Sequence, residues 1–207
     1  MKLRFLFTAL MGICFSPLIA QEISIKTLQG EERVSYLREV SDFYNAYYRE
    51  PPYYYDCNEE GWDRYINSFI KEPDSILCLA IKDEAVVGII IGTPLSKTTQ
   101  KYKGAFLDRP EDLDSLYFLG ELAVKPEFKQ LGVGKGLYEE FERQVAEKKQ
   151  FSGICVWQMQ SEVAKPSGDF WREIGFTCSD VQFEELWKDT FGTEKVPHSM
   201  VSWKKHL

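Results

Sequence analysis

Residues 116–145 read LYFLGELAVKPEFKQLGVGKGLYEEFERQV, and this stretch decides the fold. Its first nine residues form an apolar run of the kind found in buried strands. Its second half carries an apolar residue at every fourth position, namely Val133, Leu137, Phe141 and Val145. That period places the four side chains on one face of an amphipathic helix. The stretch therefore predicts a strand, a glycine-containing loop and a helix in direct succession.

The glycines of this loop lie where the predicted helix begins. Gly132 and Gly134 lack side chains, so the backbone there can approach a ligand closely. The first N–H groups of a helix have no intrahelical partner, and the helix dipole adds partial positive charge at this end. An anionic group such as a pyrophosphate suits such a site. The alternative is a tight turn that only begins a helix, and the flanking sequence has to decide between the two.

Two other glycine-rich nucleotide loops fail on spacing. A P-loop needs Gly-x-x-x-x-Gly-Lys followed by Ser or Thr. Here Lys129 stands in place of the first glycine, and Gly136 stands in place of the hydroxyl residue. A dinucleotide fingerprint needs Gly-x-Gly-x-x-Gly in the first unit of a parallel sheet. These glycines instead follow a Gly-x-Gly-x-Gly pattern that lies past the middle of the chain.

A family resemblance supplies the flanking evidence. The segment 119–137, LGELAVKPEFKQLGVGKGL, resembles the central motif of the GNAT-type N-acetyltransferases, which joins a Leu-Ala-Val-x-Pro strand end to a glycine loop and a helix. A second segment, 169–176, reads DFWREIGF and is similar to the motif that follows strand five in that family. Upstream, the β-rich runs 76–81 and 85–93 predict a hairpin in the place of strands two and three. The resemblance spans roughly residues 23–207.

The resemblance implies the fold class and the domain organisation. It implies an α/β (α+β) GNAT fold, in which helices flank a central mixed, mostly antiparallel sheet of about six to seven strands. Strands four and five are expected to splay apart, with a bulge in strand four, 116–124. Residues 21–207 then form a single acetyltransferase domain. A chain of 207 residues that is 44% hydrophobic is long enough to bury one substantial core.

The resemblance also implies an activity and a cosubstrate. The expected reaction is acetyl transfer from acetyl-CoA to a primary amine of a small molecule or protein by direct attack. No metal is implied, and no Cys/His spacing in the sequence suggests one. By match to the motif, we expect the strand-end residues to contact pantetheine through their backbone and the loop residues to surround the pyrophosphate. The first set is Leu122, Ala123 and Val124, and the second is Lys129, Gln130, Leu131, Gly132, Val133, Gly134 and Lys135.

Candidate catalytic residues follow from the same match. Glu121 is an acid inside an apolar strand beside the expected thioester, and burial would raise its pKa toward the range of a general base. The alternative is that Glu121 pairs with a cation or points outward. Trp171 stands where the family commonly carries the tyrosine that protonates the leaving thiolate, and an indole N–H is a poor acid. We therefore expect Trp171 to contact the coenzyme. Tyr138, on the helix after the loop, is then the candidate acid, and the alternative is that Tyr138 only packs in the core.

The acceptor side is expected to form from the first helices. A helical stripe runs through 37–47, a tyrosine-rich loop follows at 49–56, and a helical pattern resumes at 62–70. Aromatic faces with carboxylates suit an organic cation, although the tyrosines could equally pack the loop against the core. Near the C-terminus, we predict a surface helical turn at 184–190 and a closing strand at 200–203.

The charge of the chain bears on partners. The formal net charge is −7, and no basic face or lysine-rich stripe is evident, which argues against nucleic-acid binding. An acidic protein is compatible with a cationic small molecule or a basic peptide as the amine substrate. Acidic surfaces also serve solubility alone, so the charge does not choose an acceptor.

The first twenty residues have the form of a secretory signal peptide. A short basic start is followed by an apolar run and a small residue before polar Gln21. A cleaved signal or an uncleaved anchor would indicate export or membrane association, whereas acetyl-CoA is a cytoplasmic metabolite. The compartment therefore stays open. The alternative function is an exported or membrane-tethered binding protein that keeps the GNAT fold without turnover.

Overall fold

The structure is a computed structural model that describes residues 23–51, 53–55, 59–161, 165–188 and 190–207. The signal-like segment 1–20 lies outside these residues. Within the described part of the chain, none of the helices has the length and apolar character needed to cross a membrane.

The chain forms seven strands and seven α-helices over the described residues. The strands are β1 Ser24–Leu28, β2 Ile76–Lys82, β3 Ala85–Pro94, β4 Leu116–Val124, β5 Gly153–Met159, β6 Thr177–Lys188 and β7 Lys195–His206. The helices are α1 Glu32–Ser35, α2 Leu37–Arg49, α3 Glu59–Ile70, α4 Gln100–Gly104, α5 Pro110–Ser115, α6 Val133–Glu147 and α7 Lys165–Glu173.

All seven strands belong to one sheet in the order β1-β2-β3-β4-β5-β7-β6. Only the β4–β5 pair is parallel, and the other five pairs are antiparallel. The predicted fold class, a mixed and mostly antiparallel sheet flanked by helices, is confirmed. The β2–β3 hairpin is also confirmed, and its turn residues Asp83 and Glu84 have φ of 52° and 65°. Two consecutive positive φ values match the tight turn that suits the right-handed twist of a hairpin.

Strand β4 carries the predicted bulge. Its ladder with β3 pairs Glu121 with Ile91 but Leu119 with Gly92, so Gly120 is an extra residue without a partner in β3. The ladder between β4 and β5 runs only from Leu116 to Leu119. Beyond Leu119, β4 therefore separates from β5, and the two strands diverge at the bulge.

Helices cover both faces of the sheet. Helix α6 begins at Val133, and its predicted apolar face is buried against alternate residues of β2 such as Cys78 and Ala80. Helices α2 and α3 pack on the opposite face, where the other residues of β2, Leu77 and Leu79, join them. Because both faces are covered, β2 and β3 are continuous apolar runs rather than alternating ones.

The prediction of a surface helical turn at 184–190 is wrong. Residues up to Lys188 belong to β6, which pairs with β7 from Gln182↔Val201 to Lys188↔Lys195. Burial alternates along this strand, with Trp187 buried between half-exposed or exposed neighbours. Pairing with β7 therefore determines the local structure, because long-range contacts override the weak preferences of an acidic segment. The closing strand predicted at 200–203 lies within β7.

Substitution of Gly92 tests how tightly the bulge is packed. A Cβ atom at Gly92 would lie 2.4 Å from the carbonyl oxygen of Phe118 and 2.5 Å from Cζ of Phe141. We expect Gly92→Ala to lower the free energy of unfolding by about 1–3 kcal/mol, because the core has to shift to admit the methyl group. Urea denaturation measures the change.

The matched control is Gly104→Ala at the end of α4. The nearest atom to a Cβ there is Nε2 of Gln100 at 3.7 Å, so the substitution makes only an ordinary van der Waals contact. Its stability should stay within about 0.5 kcal/mol of the parent. Equal stability of the two variants would contradict the packing described for β4.

Candidate active site

A cavity of about 850 Å³ lies between β4 and β5 where their ladder has ended. Gly120 and Leu122 on β4 line one side, and Gln158 and Met159 on β5 line another. The glycine loop, α7, α2, α3, α4 and β6 supply the remaining walls. The divergence of two strands thus opens a space large enough for a drug-sized ligand.

Glu121 is the only acid of β4 and lines this cavity in a half-buried position. Two phenol groups hold its carboxylate. The hydroxyl of Tyr48 on α2 donates a hydrogen bond to Oε2, and the hydroxyl of Tyr65 on α3 donates one to Oε1 at 2.9 Å. The carboxylate is therefore fixed between two helices that come from elsewhere in the chain.

The environment of Glu121 shifts its proton affinity. Burial raises the pKa of the carboxyl to about 7, and this effect exceeds the lowering by the hydrogen bonds from Tyr48 and Tyr65. The negative charge of Glu185 adds to the rise, whereas Lys101 opposes it. A carboxylate that is about half ionised near neutral pH suits proton transfer.

Burial and the charge of Glu121 raise the pKa values of Tyr48 and Tyr65 well above the usual tyrosine range. Both phenols therefore stay protonated and keep donating at neutral pH. Their position depends on Trp62, which is 4% exposed. The Trp62 ring stacks on Tyr48 with centroids 5.4 Å apart and meets Tyr65 edge to face at 5.9 Å. Stacked aromatic rings thus hold the two donors in place.

The other end of the cavity is the start of α6. Gly132 caps the helix with φ of 80°, a left-handed conformation that glycine adopts without strain. The amide of Gly136 donates to the carbonyl of Gly132 at 2.9 Å, so the amides of 133–135 precede the first helical bond. A Cβ at Gly132 would meet nothing within 4 Å, and one at Gly134 would meet Val124 at 3.7 Å. The backbone at this helix start is therefore accessible.

Two lysines add positive charge near the same helix start. Lys129 and Lys135 both line the cavity. The ammonium of Lys129 lies 5.1 Å from the ring centroid of Tyr47, a cation–π contact that joins the loop to α2. Free amides, a helix dipole and two cations together fit a pyrophosphate, whose charge they would neutralise.

Most residues predicted to meet the coenzyme lie on the cavity wall. Three do not: Ala123 and Val133 are 1% and 5% exposed and pack in the core, and the side chain of Leu131 is 66% exposed. The predicted contacts at these three positions depend mainly on the backbone, so the positions of their side chains leave the prediction untested. The eight that line the cavity are Leu122, Val124, Lys129, Gln130, Gly132, Gly134, Lys135 and Trp171.

Trp171 is fixed in the wall by the end of α7. The amide of Phe176 donates to the carbonyl of Trp171 at 2.9 Å, and Gly175 has φ of 94°. These features form a Schellman cap, which explains the Gly-Phe pair of the second motif. The Trp171 ring is 7% exposed and packs on Phe170 and Phe176.

Tyr138 lies apart from the cavity. Its ring is 1% exposed and packs edge to face on Phe176, and its hydroxyl donates to Glu142 at 2.9 Å. The ammonium of Lys205 lies 5.0 Å from the same ring. These contacts are those of a packing residue, and Tyr138 is not among the residues that line the cavity, so we give it no chemical role.

Sequence reasoning missed several cavity residues. Tyr48 and Tyr65 carry the Glu121 hydrogen bonds. Helical spacing from the predicted stripes could have found them, because Tyr48 is four residues after Tyr44 and Tyr65 is three residues after Trp62. The ion pair between Lys101 and Glu185 joins residues 84 positions apart. No local signal predicts that pair, because it depends on where β6 lies in the sheet.

Comparison with protein families identifies the family of the chain that contains this cavity. A family model described as "Acetyltransferase (GNAT) family" matches residues 37–176. The chain belongs to the GNAT acetyltransferase family. As such it has the fold of an acyltransferase. No group of three or more His, Cys, Asp or Glu side chains within the described residues is arranged to hold a metal ion.

Solved structures share the GNAT fold at low identity. NAA60 from Arabidopsis thaliana, in complex with acetyl-CoA, is 12% identical with a TM-score of 0.62, covering 90% of this chain and 99% of that one. A ribosomal-protein-alanine N-acetyltransferase from Brucella melitensis is 13% identical with a TM-score of 0.61, covering 89% and 99%. A GNAT acetyltransferase from Streptococcus pneumoniae is 12% identical with a TM-score of 0.60, covering 90% and 100%. No curated protein matches the sequence.

The raised pKa of Glu121 predicts a pH-dependent stability. Between pH 4.5 and 7 the unfolded chain has lost the proton while the folded protein still holds it, so stability falls as pH rises through this window. Glutamine does not titrate, so Glu121→Gln does not lose stability in this way. The unfolding free energy of the variant minus that of the parent should therefore increase by up to about 3 kcal/mol between pH 4.5 and pH 8.

Chemical denaturation at a series of pH values measures this difference. Glu184→Gln, at an exposed position of β6, controls for the loss of a carboxylate as such. A constant difference between parent and Glu121→Gln over the whole range would contradict the burial described for Glu121.

Proposed function

We propose that this GNAT protein is an N-acetyltransferase that transfers the acetyl group of acetyl-CoA to a primary amine, with Glu121 as the general base. One observation carries the proposal: a single cavity contains both the accessible start of α6 and the carboxylate of Glu121. An anion-binding site and a base of suitable pKa thus face the same space.

The coenzyme side of the proposal rests on the loop and on β4. Lys129, Lys135 and the amides at the start of α6 would hold the pyrophosphate. The backbone of 120–124 has no β5 partner, because the ladder ends at Leu119, and its free groups can bond the pantetheine arm. The complex of Arabidopsis NAA60 with acetyl-CoA, in a protein of the same fold, supports this assignment.

In the proposed reaction the protein positions the two substrates and transfers protons. The new N–C bond forms as the thioester C–S bond breaks, and coenzyme A leaves as the thiol. The carboxylate of Glu121 accepts the proton that the ammonium must lose to become a neutral nucleophile, and it releases this proton to solvent after turnover. The second proton, which the nitrogen loses as the amide forms, goes to the departing sulfur. The hydroxyls of Tyr48 and Tyr65 keep the carboxylate oriented toward the cavity. Since a thiolate is a tolerable leaving group, Trp171 in place of the usual acid does not block this route.

Coenzyme binding gives the first test of the proposed function. Gly134→Asp places a negative charge at the start of α6, and its Cβ would have only ordinary contacts, at 3.7 Å or more, so the fold should survive. We expect acetyl-CoA affinity to fall by at least about tenfold through charge repulsion at the pyrophosphate site. Calorimetric titration of acetyl-CoA into the full chain measures the loss.

Gln150→Glu is the matched control for this titration. It adds the same charge at an exposed position beyond the opposite end of α6. Its affinity should equal that of the parent. If Gly134→Asp bound acetyl-CoA as tightly as the control, the loop would not be the pyrophosphate site.

The second prediction concerns the base. The rate of acetyl transfer should fall tenfold per pH unit below about pH 7, because only ionised Glu121 accepts a proton. Glu121→Gln should lower kcat by roughly 10²–10⁴-fold and remove this acidic limb, while acetyl-CoA affinity stays unchanged. Release of the coenzyme A thiol, followed over pH 5.5–9 with a panel of primary amines, gives both quantities.

Retention of the acidic limb in Glu121→Gln would show that another group is the base. Tight coenzyme binding without turnover of any amine would instead favour the alternative of a GNAT-fold binding protein.

A further inference from the structure

The acceptor end of the cavity is walled by aromatic rings. We define this end by six cavity-lining residues that lie between Tyr55 and Trp187 in the sequence. Tyr55 meets Trp62 at 5.7 Å and Trp187 at 5.9 Å between centroids, both edge to face. Trp62 in turn meets Tyr65. The six are Tyr55, Trp62, Tyr65, Tyr102, Glu185 and Trp187.

The charges at this end nearly cancel. Glu185 is only 17% exposed and forms an ion pair with Lys101 of α4, whose side chain is 41% exposed. That pair leaves Glu121 as the carboxylate at this end that has no cationic partner of its own among the contacts described. Among the described residues, the remaining acid of the cavity lining is Glu173, which lies on α7 two residues after Trp171, at the coenzyme end. Within this described part of the chain, the acceptor end therefore has one carboxylate left to compensate one positive charge.

We propose that the acceptor is a primary amine with a single positive charge carried on an aromatic body. This inference rests on the proposed function and narrows its acceptor to one chemical class. The ammonium group would be placed against Glu121, and the aromatic body would pack among the rings of Tyr55, Trp62 and Trp187.

Two physical effects select this class. A flat ring gains edge-to-face and stacking contacts with the aromatic wall, and an ammonium near the ring faces gains cation–π attraction. A polyamine or an aminoglycoside would bring two or more further cations into the same space. Those cations would lose their hydration without a carboxylate to replace it, which is costly in an aromatic cavity.

A comparison of three amines tests the inference in the parent protein. The probes are phenethylamine, 2-cyclohexylethylamine and spermidine, with acetyl-CoA saturating. We expect kcat/KM for phenethylamine to be about 100-fold higher than kcat/KM for spermidine. We also expect it to be about 3- to 10-fold higher than kcat/KM for 2-cyclohexylethylamine. A higher kcat/KM for spermidine than for phenethylamine would overturn the inference.

A charge variant provides a sharper test of the same point. Lys101→Gln frees Glu185 to pair with a second ammonium, so 1,4-diaminobutane should gain about tenfold in kcat/KM relative to phenethylamine. Lys103→Gln is the control, because Lys103 is on the same helix but does not line the cavity. Equal preference in the two variants would contradict the assigned role of the Lys101–Glu185 pair.

The inference and the proposed function fail in different ways. Turnover with spermidine preferred would keep the acetyltransferase assignment and overturn the aromatic acceptor. Calorimetric binding of phenethylamine to the coenzyme A complex, without any acetyl transfer, would support the aromatic site and overturn the assigned activity. If phenethylamine were neither bound nor acetylated, the inference itself would be overturned.

Discussion

The early end of the β4–β5 ladder is the constraint on which the rest of the site depends. The bulge at Gly120 breaks the register with β3, and pairing with β5 stops one residue earlier, at Leu119. A glycine is required at the bulge, since a Cβ there would lie 2.6 Å from the ring of Phe69 on α3. Helix packing and strand divergence are thus coupled. Because β4 and β5 part at this point, a cavity opens in the middle of the sheet and backbone groups lose their ladder partners.

The same bulge determines where the one carboxylate of β4 lies. Glu121 follows Gly120 directly and meets the aromatic layer that α2 and α3 lay over the sheet. Burial favours the neutral carboxyl, and two tyrosine hydroxyls favour the charged one. The balance leaves the pKa near 7 rather than at either extreme. Substituting either tyrosine would remove a hydrogen bond that lowers the pKa of Glu121, so the pKa would rise. The aromatic layer therefore takes part in setting the basicity of Glu121.

Local sequence was enough for the features whose signals are local. The four-residue period from Val133 to Val145 and the loop glycines predicted the start of α6. The resemblance of two motifs to the GNAT family implied the fold and the position of Glu121. The cavity walls could not be predicted in this way. Tyr65 reaches Glu121 across 56 positions and Lys101 reaches Glu185 across 84, so both contacts depend on sheet order. Strand β6 was missed because its acidic sequence gives a weak strand signal and its structure depends on pairing with β7.

The measurement that tests this account most directly is a titration of the Glu121 carboxyl itself. Carbon-13 NMR of protein labelled at the glutamate carboxyl, with Glu121→Gln to assign the resonance, follows its ionisation from pH 4 to pH 9. The account predicts a midpoint near pH 7. A midpoint below about pH 5, as for a solvated glutamate, would contradict it, because the carboxylate would then be too weak a base for the role assigned to it.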